Sequence, residues 1–304
     1  MVDIKLNYPS LGKNLTNISD KDKIIIESIL EVYRSILNLD NVNFTKLISK
    51  SFVKFTTEIN YLQFLYNKTK SYPKIDFVEI KNKIYENDEY MFDYYMGVVA
   101  LIFLWKSNYK LLEFFDKNFL TKYQSQYSNF IDLASGHFFY SAYAIQSEFA
   151  VKNTKYFQLD IAPMAKNLIV KYCKKIELSN SVFQLGDLNS FENLRDLIPE
   201  YEPSLIICNF VLEHLEDPQI FLKNLRKCIK SEDVVFISLA ITAAQADHIF
   251  EFKNEFEVIQ LFERCGFLVE SYRLFSMEYD NSALKNNYVY PKEMSLIVRA
   301  GVLC

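Results

Sequence analysis

Phe130-Ile-Asp132-Leu-Ala134-Ser-Gly136-His137-Phe138-Phe139 is the stretch on which the reading of the fold turns. Phe130–Ala134 has the apolar run of a buried strand, and Ser135-Gly136 ends it in a small-residue turn. Downstream the same grammar repeats. Short β-branched or aromatic runs at Tyr156–Asp160, Ser181–Leu185, Leu205–Asn209 and Val234–Leu239 are separated by segments long enough for crossover helices. That alternation predicts an α/β fold with a doubly wound, mostly parallel sheet carrying helices on both faces. Two further runs, Phe267–Phe275 and Met294–Arg299, are joined by residues 276–293, rich in Asn, Tyr and Lys and without a helical pattern. They predict an antiparallel terminal hairpin and bring the sheet to seven strands.

Upstream the chain reads as helical. Ser19-Asp20-Lys-Asp22 caps a helix on which Ile25, Ile29, Val32, Tyr33 and Ile36 recur at helical spacing. A second helix is expected over Phe44–Tyr66, ending before Ser71-Tyr-Pro73, and a short third one over Asp76–Tyr85. From Asp88 to Lys122 the apolar pattern runs on, with Gly97 inside it as either a tight crossing or a weak point. The expected division is a helical N-terminal part, 1–126, capping the substrate side, and a Rossmann-like cofactor-binding part, 127–304.

Half of the 304 residues are apolar and 24% are charged, an ordinary globular balance. The net charge of -4, with no Lys/Arg cluster, disfavours a nucleic-acid substrate, which needs a basic face to neutralise phosphates. The five cysteines are widely spaced, which suits neither a disulfide framework nor a zinc knuckle. No signal peptide opens the chain, and no apolar run reaches the ~20 residues of a membrane span. A cytoplasmic protein is expected, acting on a small molecule, with a homodimer as an allowed assembly.

Ligands of a doubly wound sheet sit beyond the carboxyl ends of its strands. A dinucleotide loop, G-x-G-x-x-G, wants glycines where this chain has Ala134 and Phe139, and a Phe where helix and strand must approach closely argues against NAD. A ligand that presents an amino-acid tail to the turn tolerates side chains better, and S-adenosylmethionine is such a ligand. Asp160, 24 positions after Gly136 and followed by Ile161, is placed to accept ribose hydroxyls. Asp187 and Leu188 follow the third strand, where an Asp can meet an adenine amino group, and Asn209 ends the fourth.

The ordered set Asp132-x-x-x-Gly136, Asp160-Ile-Ala-Pro163, Gly186-Asp187 and Val211-Leu-Glu-His214-Leu-x-Asp-Pro218 resembles the class I S-adenosylmethionine-dependent methyltransferases, small-molecule type. The resemblance covers about Asn129 to Gly301 and none of the helical half. It implies S-adenosyl-L-methionine as cofactor, with Asp132 and Gly136 at its methionine end, Asp160 at ribose and Asp187 at adenine; Ala134, Ile161, Leu188 and Asn209 are expected among the cofactor-binding residues. The family's first loop often reads G-x-G-x-G, and Phe138 stands at its third glycine. Each acid alone also reads as a helix cap or turn residue.

All three histidines, His137, His214 and His248, fall in loops at the carboxyl edge of the sheet. Ile241-Thr-Ala-Ala-Gln-Ala-Asp247-His248 is similar to small-molecule methyltransferases with an Asp-His pair in this loop. That makes His248 the expected general base or substrate orienter, with Asp247 beside it and His137 as runner-up. His214 is expected to brace the helix after strand four. A metal held by the histidines is the weakest reading, and none is expected. Two other functions stay open on sequence alone: a protein methyltransferase whose helical half docks a partner, and a non-catalytic cofactor-binding subunit. An NAD-linked oxidoreductase ranks below both.

Overall fold

Strand-forming runs and helical periods alternate as the sequence pattern requires, and the topology follows. The computed structural model describes residues 15, 17–72, 75–123, 126–147, 154–276 and 288–301. Its seven-stranded sheet is built from β1 (Asn129–Leu133), β2 (Lys155–Asp160), β3 (Ser181–Leu185), β4 (Ser204–Asn209), β5 (Val234–Ile241), β6 (Phe267–Ser276) and β7 (Lys292–Ala300), in the order β3-β2-β1-β4-β5-β7-β6. β1 to β5 pair in parallel, while β7 inserts antiparallel between β5 and β6. The strand order reverses beside β1, and the crevice between β1 and β4 is where such a sheet takes its ligand. Most of the connection between β6 and β7, like Pro73, lies outside the described residues.

Adjacent residues of one strand point to opposite faces, and both faces are buried. Phe130, Phe236 and Ile297 join a core cluster that also holds Ile26, Tyr33, Phe103 and Leu111 of the helical half. Their neighbours Ile131, Ile237 and Leu296 join a second cluster with Leu212, Phe221 and Phe262. The helical half is thus the cover of one sheet face, and its core runs across residue 126 into the sheet.

In that half, α1 (Asp20–Ile36) begins at Ser19, whose hydroxyl accepts from Asp22 N, as its capping sequence predicts. α2 (Asn41–Thr69) is longer than the apolar pattern indicates, because Asp40 caps it one turn earlier. α3 (Phe77–Ile80) passes into a π-helical turn over Lys81–Tyr85. The expected continuous helix from Asp88 to Lys122 is broken. α4 (Asp88–Leu104) stops at Trp105 in extended backbone, and α5 (Lys106–Phe114) restarts there and widens into a π turn over Phe115–Leu120. Gly97 is a tight crossing: a Cβ there would lie 2.8 Å from Phe55 Cβ and 2.9 Å from the Ser51 carbonyl of α2. Asp22, buried on α1, accepts from the hydroxyls of Tyr109 and Tyr143, at 2.6 Å each, which ties α1 both to α5 and to α6 (Phe139–Gln146) behind β1. No helix among the described residues is long and apolar enough to cross a membrane.

Candidate active site

The turns that leave β1, β4 and β5 all need left-handed backbone, and only one of the residues involved is glycine. Ala134, Gly136, Phe138, Phe210 and Thr242 have φ between 48° and 64°. At Gly136 it is this conformation, not space, that favours glycine, since an added Cβ would meet Tyr95 at an ordinary 3.5 Å. Phe138 keeps its place because its ring is fully buried edge-on to Tyr172. The helical half also holds the turn, through the Tyr33 hydroxyl on the His137 carbonyl.

These turns surround one cavity, whose space between atoms is about 1380 Å³ with its open mouth included. Every residue expected at the site lines it: Asp132, Ala134, Gly136, Asp160, Ile161, Asp187, Leu188 and Asn209 on the cofactor side, His137, Asp247 and His248 on the other. The sequence places them on five separate loops, and the sheet order brings them together.

Asp160 does more than line the wall. Its Oδ2 accepts from Gly136 N at 2.7 Å and its Oδ1 from Ala162 N at 2.8 Å, so the carboxyl clasps the β1 turn to the β2 loop. Burial pushes it up to about 6 against the pull of these amides. Asp132 is pushed up to about 7 by burial, with the Ser141 hydroxyl pulling down and Asp160 adding repulsion. Asp187 accepts from Asn189 N through Oδ1. Both side-chain atoms of Asn209 are buried and have no hydrogen-bond partner among the described residues. Buried carboxyls without a countercharge, beside an unpaired amide, fit a ligand that brings positive charge and hydrogen-bonding groups, as a sulfonium with an ammonium tail does.

The histidines differ from one another. His137 Nδ1 accepts from Phe139 N at 3.1 Å, at the start of α6, and burial lowers its pKa to about 4. With Nδ1 occupied, the neutral ring offers a proton at Nε2 and not a lone pair. His248 is the reverse: Nδ1 lies 2.6 Å from the Ala243 carbonyl, which can only accept, so Nε2 carries the free lone pair. Burial and the nearby His214 hold it well below the ordinary value, and the ring is neutral.

Asp247 does not pair with its chain neighbour. Its carboxylate lies 3.3 Å from His214 Nδ1, and its carbonyl 3.0 Å from the same atom. Burial opposes charge on His214, but Asp247 and Glu213 outweigh it and the pKa is raised. Glu213 was not singled out from sequence. It is fully buried, its Oε1 accepts from Ala240 N, and its carbonyl accepts from Ile249 N and Phe250 N, which fixes the β5 loop. Glu213, His214 and His248 bring ligand-type atoms within 4.8 Å of one another. A cation there would have to displace the proton that Asp247 and Glu213 favour on His214.

Gln63 is the second residue that sequence reading missed. From the middle of α2 its amide donates to the Thr242 carbonyl and accepts from Ala244 N, so a helix far away in sequence clamps the loop carrying Asp247 and His248. From the helical half, Tyr94 and Tyr95 line the cavity with Phe55, Ile59 and Val98, while Tyr90, Trp105 and Tyr109 do not.

The methyltransferase domain family matches residues 108–286, more than half of the chain. No curated protein matches. Among solved structures, an O-methyltransferase family protein from Burkholderia thailandensis shares the fold at a TM-score of 0.53 and 12% identity, over 80% of this chain and 71% of that one. The mitomycin 7-O-methyltransferase MmcR does so at a TM-score of 0.51 and 10% identity, over 81% and 68%. With the inserted seventh strand and the loops after β1, β2, β3 and β4 in place, the chain belongs to the methyltransferase domain family, as a class I enzyme that uses S-adenosylmethionine.

Proposed function

We propose that the protein methylates an oxygen or nitrogen of a small-molecule acceptor whose apolar body lies against Phe55, Ile59, Tyr94, Tyr95 and Val98. The observation that carries this reading is the single cavity, in which the cofactor-side acids, His248 and an apolar wall from the helical half face one another. An enclosed wall of rings suits a compact organic molecule better than a folded protein surface.

The cofactor supplies a methyl group on a cationic sulfur, which takes back the bonding pair when the carbon is attacked. The chain's own work is positioning and proton handling. Asp160 holds the β1 turn in shape and keeps further lone pairs for ribose hydroxyls, Asp132 faces the methionine end, and Asp187 faces the adenine side. Gln63 and Glu213 fix the β5 loop so that His248 Nε2 faces the acceptor. In-line alignment of this kind accounts for ~7–11 kcal/mol of a barrier. An O–H acceptor becomes a strongly acidic oxonium once methylated, so a neutral imidazole of low basicity still takes its proton, whereas a methylated amine keeps its proton as an ammonium and needs His248 only for orientation.

Calorimetry with S-adenosylmethionine and its demethylated product, followed by labelled-methyl transfer to a metabolite extract, tests the reading. His248→Ala is expected to slow transfer by roughly 10²–10⁴-fold with cofactor affinity unchanged. Unaltered turnover would remove His248 from the mechanism.

A further inference from the structure

The far wall of the cavity carries a carboxylate that the methyl-transfer machinery above does not use. Glu293 is on β7, opposite Ala240 of β5, on the sheet face covered by the helical half. Its side chain is 3% exposed. Asn108 of α5 donates to Oε1 at 2.8 Å, and Oε2 has no hydrogen-bond partner among the described residues. A buried carboxyl held by one neutral amide, with its second oxygen unpartnered, is a costly arrangement, and because Glu293 lines the cavity a ligand there with a proton to donate relieves it.

The remaining wall says what kind of group that is. Asp132, Asp160, Asp187, Asp247 and Glu293 all line the cavity, and among the described residues no Lys or Arg does. The one histidine with a raised pKa, His214, is engaged by Asp247. The orphaned polar atoms beyond the cofactor acids are mostly acceptors: Glu293 Oε2, Gln245 Oε1 and Asn209 Oδ1, against Asn209 Nδ2 as donor. An anionic molecule would meet no Lys or Arg here, and a neutral one would leave the charge of an ionised Glu293 uncompensated.

We infer that Glu293, steadied by Asn108, anchors a protonated amino group of the acceptor, so that the enzyme's substrates are amines with an apolar or aromatic body and not carboxylic or phosphoric acids. The inference rests on the methyltransferase reading and narrows its substrate class. Asp132, Asp160 and Asp187 are taken by the methionine end, ribose and adenine of S-adenosylmethionine, and Glu293 is left for the second ligand. The ammonium so held has no lone pair, so it anchors the molecule and the methyl group goes to another oxygen or nitrogen of the same acceptor.

The test uses the full chain loaded with S-adenosylhomocysteine. Calorimetry compares an amine, an alcohol and a carboxylate on matched bodies, such as phenethylamine, 2-phenylethanol and 3-phenylpropanoate, with indole and naphthalene counterparts. The amine is expected to bind roughly tenfold to a hundredfold more tightly than the alcohol, the range of one charge-assisted hydrogen bond, and the carboxylate not measurably. Glu293→Gln is expected to erase the preference at unchanged S-adenosylhomocysteine affinity, and Glu293→Asp to keep part of it. Equal binding of the carboxylate, an amine preference that survives Glu293→Gln, or no amine binding at any body size would overturn the inference. Should Glu293→Gln not fold, the wild-type ranking alone still decides. Failure of S-adenosylhomocysteine itself to bind would strike at the methyltransferase reading, a separate result.

Discussion

Asp132→Asn should make the ligand-free protein more stable at neutral pH while weakening its hold on the cofactor. Asp132 is 4% exposed, and its carboxyl has one side-chain partner, the Ser141 hydroxyl at 2.5 Å, which an Asn oxygen can also accept from. Burial raises it from 3.8 to about 7 in the fold. A carboxyl raised by folding makes the native state bind the extra proton, so stability is greatest at low pH and falls as pH rises from about 4 to about 7. Between pH 5 and 7 the slope from this one group is 1.36 kcal/mol per unit, or about 3 kcal/mol in all. Asp160, Glu213 and Glu293 are also raised and slope the same way. They are present in both proteins and cancel in the comparison. Urea unfolding of wild type and variant at pH 5 and pH 8, without ligand, should therefore show wild type losing about 3 kcal/mol more than the variant over that interval. Saturating S-adenosylmethionine should shrink the wild-type loss, because its positive charge favours the carboxylate. Parallel losses in the two proteins would refute the reasoning, by showing that Asp132 is ionised at no cost in the empty fold.

By the same linkage, affinity for S-adenosylmethionine should fall as pH drops below about 6, where Asp132 and Asp160 take up protons, and calorimetry from pH 5 to 8 should show it. Gly97→Ala should destabilise by ~1–3 kcal/mol through overpacking against Phe55 and Ser51, despite alanine's better helix propensity, as read from denaturant midpoints. Gln63→Ala should leave the Thr242 carbonyl and Ala244 N unpaired, destabilise by ~1–3 kcal/mol, and speed amide exchange across 243–250 without changing cofactor affinity. Unchanged exchange there would mean that α2 does not hold the loop.

Strands were the most legible part of this chain, because both sheet faces are buried and each strand therefore shows as a run of apolar residues. The break at Trp105 was not legible: Leu104, Trp105 and Lys106 contain no Pro or Gly, and it is packing that bends the backbone there. The cofactor-side acids stood out because each lies at or just past the carboxyl end of a strand. Glu293 fell in the expected connection 276–293, and only because β7 starts at Lys292 and inserts between β5 and β6 does it lie inside the sheet. Asp247 and His248, neighbours in sequence, do not pair with each other. Adjacent residues in a loop point apart, and Asp247 met a histidine 33 positions away that the β4 loop carries to it.

The left-handed turns bear on how the protein can change. Ala134, Phe138, Phe210 and Thr242 each hold a conformation that costs an L-residue about 1–2 kcal/mol. That cost is released on unfolding. Selection for heat resistance alone would drift toward glycine at the less packed of these positions and would gain stability there. The same drift would loosen the rim that sets the distance between cofactor and acceptor. In this fold, tolerance of temperature and fidelity of methylation compete for the same few residues.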